Sequence, residues 1–165
     1  MPNLKKWLGT PVLVLVLAGC QVFGMPLCGN GKLNLSHANL NPREFTCPEL
    51  ANDYTYDIKG TLDADNETNQ KITIKSMATA AVVDRLAGSW GMSVGDKSGA
   101  EDIEVSPRSI DSGQKTTVRF TTPWSCSNDG HNTQETYADF KLQLIIDTDH
   151  GKFAVDLPTH RMRMA

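Results

Sequence analysis

At 165 residues the chain fits one domain with a single core, and its 39% hydrophobic and 21% charged content is that of an ordinary globular protein, neither collagen-like nor wholly disordered. Setting aside Lys5 and Lys6 leaves 14 basic side chains against 19 acidic ones, a balance of −5, so no basic stripe remains to follow a phosphate backbone and no nucleic acid partner is expected. Aromatic residues make up only 7%, which leaves Val, Ile, Leu and Ala to build the core.

The first twenty residues have the parts of a secretory signal. Lys5 and Lys6 form a positive n-region, and "PVLVLVLA" (11–18) forms an apolar h-region too short for the ~20 residues of a spanning helix. The segment ends in Leu17-Ala18-Gly19-Cys20, which resembles the lipobox of bacterial lipoproteins; the resemblance covers the signal alone. It implies cleavage before Cys20, a lipidated Cys20 as mature N-terminus, and palmitate-type acyl chains in a membrane. Each buried methylene contributes about 0.8 kcal/mol, so two or three chains hold a domain firmly at the surface. Gln21 follows, and the absence of Asp there points to the outer membrane in a cell with two membranes.

Lipidation would leave Cys28, Cys47 and Cys126, enough for one disulfide and one free thiol. Export makes the bridge plausible. Cys47 with Cys126 is preferred, since each lies beside a predicted strand; Cys28 with Cys47 stays open as a local staple.

Residues 20–50, rich in Asn, Gly and Pro and lacking either period, read as the lipidated Cys and a flexible spacer, with room for a short strand. In "YTYDIKGTL" (54–62), Tyr54, Tyr56 and Ile58 fall on one face of a half-buried strand. The polar run "DADNETNQ" (63–70) breaks it and "KITIKS" resumes, which predicts an antiparallel hairpin with a long turn. "MATAAVVDRLAG" (77–88) mixes helix-forming Ala and Leu with β-branched Thr79, Val82 and Val83 and is read as continued strand. "SWGMSVG" (89–95) is read as another short strand, with Trp90 as the largest core side chain. Further on, "EDIEVSPRSIDSGQKTTVRFTTP" gives strand, Pro, Ser-Gly turn and strand. "ADFKLQLIID" sets Phe140, Leu142, Leu144 and Ile146 on one face, "TDHGK" turns, and "KFAVDLPTH" returns with Phe153, Val155 and Leu157, a terminal β-hairpin.

About seven short strands with frequent turn signals and no long helix predict an all-β, antiparallel β-sandwich over 51–165. The "VSP…I…G…TTV.F" layout of residues 105–120 is similar to that of immunoglobulin-like and fibronectin-like modules.

Several motifs could carry chemistry. "GMSVG" fits the Gly-x-Ser-x-Gly nucleophile elbow, but no helical period follows Ser93, so a Gly-rich strand or turn is the reading. "DADNETN" spaces Asp63, Asp65, Glu67 and Asn69 as a calcium loop does, yet Thr68 stands where Gly is needed and Ile74 where the bidentate Glu belongs; a solvated acidic turn fits better. In "THRMRM" a strand would align His160, Met162 and Met164, a set suited to Cu(I), although a final strand packing these inward with Arg161 and Arg163 outward needs no metal. "CSNDGHN" gathers Cys126, Asp129 and His131 in a turn that scaffolds a nucleophile poorly, and is read as disulfide plus surface loop. The resulting expectation is a lipid-anchored envelope protein (signal 1–19), without enzymatic activity or cofactor. It binds a protein or glycan partner through its loops or plays a structural role; the alternative is a periplasmic copper-binding domain using His160, Met162 and Met164.

Overall fold

The computed structural model describes residues 21–22, 25–26, 33–131 and 135–165. Residues 1–19, expected to be a signal segment, and Cys20 and Cys28 lie outside these residues. The described elements are thirteen strands: β1 (Gln21–Val22), β2 (Met25–Pro26), β3 (Leu33–Asn41), β4 (Glu44–Cys47), β5 (Tyr54–Asn66), β6 (Ile72–Ala87), β7 (Lys97–Ala100), β8 (Glu104–Ser106), β9 (Ser109–Ile110), β10 (Lys115–Cys126), β11 (Tyr137–Thr148), β12 (Gly151–Asp156) and β13 (His160–Met164). One sheet has the order β3-β5-β10-β8. The other has the order β4-β13-β11-β6-β7, with β12 beside β11 and β9 beside β6. Their neighbours are antiparallel except β4 and β13, which run parallel. The two sheets face each other as an all-β sandwich, the predicted class.

Alternation builds the core. Ile58, Leu62 and Ala64 on β5 and Val118 and Phe120 on β10 point inward against Met77, Ala81 and Val83 on β6 and Phe140, Leu142, Leu144 and Ile146 on β11. Bonds that cross between the sheets include a disulfide and two side-chain hydrogen bonds. Cys47 of β4 is disulfide-bonded to Cys126 of β10, as preferred. The hydroxyls of Thr79 and Thr122 meet at 2.8 Å, and Tyr56 Oη meets His160 Nε2 at 2.8 Å.

Four expectations need correction. Residues 33–47 are not spacer but the edge strands β3 and β4, with Leu33, Leu40 and Cys47 buried. A bulge between Ser36 and Asn39, with His37 at φ 51°, shifts the inward set from odd to even positions and so erases the period. Second, β5 and β6 are not a hairpin, since they belong to different sheets. Strand β5 runs on through Asp63 and Asp65 to the buried Asn66, whose Nδ2 donates to the carbonyls of Gln70, Ile110 and Asp111 and whose Oδ1 accepts from Thr68. That side chain organises an arch between sheets, which alternation alone cannot tell from a hairpin. Third, 89–95 is loop rather than strand, bounded by Gly88 and Gly95 at φ 80° and 95°. Fourth, Trp90 is half-buried there, its indole N–H donating to Ala87 O at 2.9 Å; the fully packed rings are Phe120 and Phe140.

The ambiguous 77–88 stretch is strand, part of the sixteen-residue β6. Its period of two is carried by Met77, Thr79, Ala81 and Val83 inward and by small Ala78 and Ala80 outward. The terminal hairpin of β11 and β12 closes at Thr148 opposite Gly151, as predicted.

Candidate functional site

The register gives the sandwich two unlike ends. The chain joins the sheets at Leu33, opposite Asn66 at the last turn of β5. That pole also carries the 67–71, 111–114 and 149–150 turns. Strand β5 spans thirteen residues, about 40 Å at ~3.3 Å per residue. At its other end Tyr54 faces Cys126, Tyr137 faces Ala87, and Met164 faces Cys47. Loops 48–53 and 88–96 and the described residues 127–131 and 135–136 therefore lie at the pole remote from Leu33.

Loops 48–53 and 127–131 are knit together above the disulfide. Asn128 N donates to Ala51 O at 2.9 Å, Asp53 N donates to Ser127 Oγ at 3.0 Å, and the buried Asn128 Nδ2 reaches Cys47 O at 3.3 Å. Gly130 N and His131 N close turns on Asn128 Oδ1 and Asp129 Oδ1. Leu50 stands on this platform 78% exposed with φ 56°, its side chain beside Gly130. Tyr54 and Val94 are 47% and 63% exposed. Among the described residues these three are the exposed large hydrophobics, and all lie at the loop pole. Sequence reasoning missed them; the signal in reach was a lone Leu in the turn "CPELAND".

The C-terminal strand behaves differently. His160, Met162 and Met164 do share one face, and that face is the buried one. His160 is 0% exposed and fully occupied: Nε2 meets the Tyr56 hydroxyl at 2.8 Å and Nδ1 meets Pro42 O at 3.2 Å. Trp124 packs edge-on at 5.5 Å and Phe45 stacks on Tyr56 at 3.7 Å. Burial pushes the imidazole below its usual range and the Tyr56 phenol above its own, so a neutral histidine donates from Nδ1 and accepts from the phenol. A metal at Nε2 would have to displace that hydroxyl. On the outer face Arg161 makes a bidentate pair with Asp139 at 2.6 and 2.8 Å and lies over the Tyr137 ring at 4.3 Å. The guanidinium's hydrogen bonds hold the Asp139 carboxyl below the usual carboxylate range.

The remaining motifs are structural in their surroundings. Asp65 pairs with Lys115 at 2.8 Å, and Asp63 accepts from Thr117 Oγ1 at 3.0 Å on the outer face of β5, so both stand on a strand rather than in a turn. Ser93 lies in a turn closed by Asp96, whose Oδ2 accepts from Ser93 N at 2.8 Å, and a strand follows where an elbow needs a helix. Cys126 is in the disulfide, away from nucleophilic use. Among the described residues no three His, Cys, Asp or Glu side chains are grouped to hold a metal.

No protein family matches the chain, and no curated protein matches it in sequence. Solved structures that it is similar to include a structural-genomics target, SoR45, at 10% identity and a TM-score of 0.41, with 79% of this chain and 86% of that chain covered. Another is the putative ApaA protein from Bordetella pertussis, at 13% identity and a TM-score of 0.39, covering 81% and 94%. A third is an ASH/PapD-like domain of human CEP192, at 14% identity and a TM-score of 0.28, covering 77% and 82%. At these values the likeness is to a β-sandwich and assigns no function.

Proposed function

We propose that this chain is a lipid-anchored protein of the bacterial cell envelope, held through Cys20. Its sandwich performs no catalysis and binds a protein or glycan partner at the loop pole. The observation that carries the reading is the opposition of the two poles: the chain runs from the lipobox to Leu33 at one end, while the exposed Leu50, Tyr54 and Val94 stand at the other. An anchored domain then turns its binding loops away from the bilayer, in the outer membrane where the cell has two. The three loops sit on rigid strands and a disulfide, as recognition loops do.

The test is intact mass of the membrane-extracted protein, together with fractionation of a Cys20→Ser variant. A mass of residues 20–165 plus acyl chains, and loss of the variant from the membrane fraction, support the anchor. An unmodified chain overturns it. The copper alternative requires His160 to give up its bond to Tyr56. It predicts a rise in Tm with Cu(I) that Met162→Leu/Met164→Leu removes; no rise ends it.

A further inference from the structure

We infer that the partner received at the loop pole is a protein presenting an apolar side chain flanked by Lys and Arg, with Leu50 as the central contact; this rests on the reading that the loop pole is the binding end. Two independent observations lead there. Leu50 occupies the left-handed region, which costs a branched L-residue conformational energy that glycine would not incur, and at 78% exposure burial offsets little of that cost. Its position is nevertheless fixed, because Ala51 and Asp53 on its C-terminal side are bonded to Asn128 and Ser127. A rigid apolar knob in water, with Tyr54 on the same pole, has the form of an interface anchor.

The second observation is charge. The described residues of loops 48–53, 88–96 and 127–136 include Glu49, Asp53, Asp96 and Glu135, with Asp129 already engaged within the protein, and contain neither Lys nor Arg. Lys97 at the start of β7, Arg85 near the end of β6 beside Asp84, and Arg163, paired with Glu44, lie at the margin. An acidic excess at the pole that carries the exposed Leu50 repels nucleic acid, acidic glycans and an anionic membrane surface. It attracts a basic protein surface whose own apolar residue meets Leu50.

The experiment places a photoreactive benzophenone amino acid at Leu50 of the full-length protein in its native host, with Asn41 on the outer sheet face as the control position. The expected result is one protein adduct specific to position 50, whose crosslinked segment is rich in Lys and Arg. Its yield should fall about tenfold when Glu49→Lys/Asp53→Lys is introduced, or when isolated envelopes are held at about 1 M salt, where the screening length is ~3 Å. Leu50→Gly relieves the backbone, so Tm should hold or rise while the partner is lost. An absent adduct, the same adduct from Asn41, a glycan or lipid adduct, a segment without excess positive charge, or a partner retained by Leu50→Gly each overturns the inference. Membrane fractionation of the same cells separates the two readings. A lipidated protein with no specific adduct defeats this inference alone, and a protein missing from the membrane defeats the anchor whatever it crosslinks.

Discussion

The Cys47–Cys126 bridge joins residues 79 apart in sequence and ties the edge strand β4 to the end of β10 in the facing sheet. Chain-entropy bookkeeping for a loop of that size gives about 4.5 kcal/mol of stabilisation by restricting the unfolded chain. For the sandwich this corresponds to roughly 15 °C in Tm. The assay is equilibrium urea unfolding of Cys47→Ala/Cys126→Ala against the bridged protein, both in a Cys20→Ser/Cys28→Ser background so that no other thiol can exchange. The midpoint should fall, and the slope m should rise because the unlinked chain exposes more surface on unfolding. A loss under about 1 kcal/mol with m unchanged would refute the argument, since it would mean that the unfolded chain is already held at those ends.

Gly60 faces Phe120 across the β5–β10 ladder, and a Cβ there would sit 2.0 Å from the ring. Gly60→Ala should cost about 1–3 kcal/mol, measured by urea midpoint, and Phe120→Leu in the same chain should recover part of it. Asp139→Asn leaves the Arg161 guanidinium without its carboxylate; because Arg161 is partly solvated, a loss of about 1–3 kcal/mol is expected in thermal unfolding. Acid should weaken the fold in two windows. The unfolded His160 takes a proton near pH 6.5, whereas the buried one takes it only at lower pH. The unfolded state then binds more protons, so stability declines below about pH 6.5 and levels off once the folded group titrates. Asp139, depressed by Arg161, contributes fully above about pH 4 and loses that contribution as pH falls through its lower folded value. A His160→Gln variant should lose the first slope; a slope that persists would assign it to another group.

The strands that alternate cleanly and pair with sequence neighbours were readable. Phe140 to Ile146 and the Gly151 turn specify the β11–β12 hairpin without outside help. What stayed hidden depends on partners remote in sequence. The bulge at His37 and Ala38 matters only once β3 lies on β5. Asn66 reads as one more polar turn residue until Ile110 and Asp111 supply its acceptors. The Cys47–Cys126 pairing is preferred from sequence because each cysteine lies beside a predicted strand, with Cys28–Cys47 left open, while the strand β4 that Cys47 ends itself reads as spacer. The proposed binding surface was not legible, because exposure of Leu50 follows from how two loops lock over the bridge, and a single Leu carries no period.

The proposed anchoring ahead of Leu33 also has a mechanical consequence. Tension between the proposed lipid and a partner at the loop pole pulls Leu33 along the axis of β3, sliding that strand past β5. The ladder from Leu33 opposite Asn66 to Asn41 opposite Lys59 is then loaded in shear, and bonds perpendicular to the pull share the force at once instead of opening one by one. Should they yield, the chain pays out only as far as Cys47, where the covalent link to Cys126 stops it. The slack so released, residues 33–46, extends to roughly 50 Å at ~3.5 Å per residue. The proposed anchor would thus lengthen under load while the loops and the rest of the sandwich keep their shape.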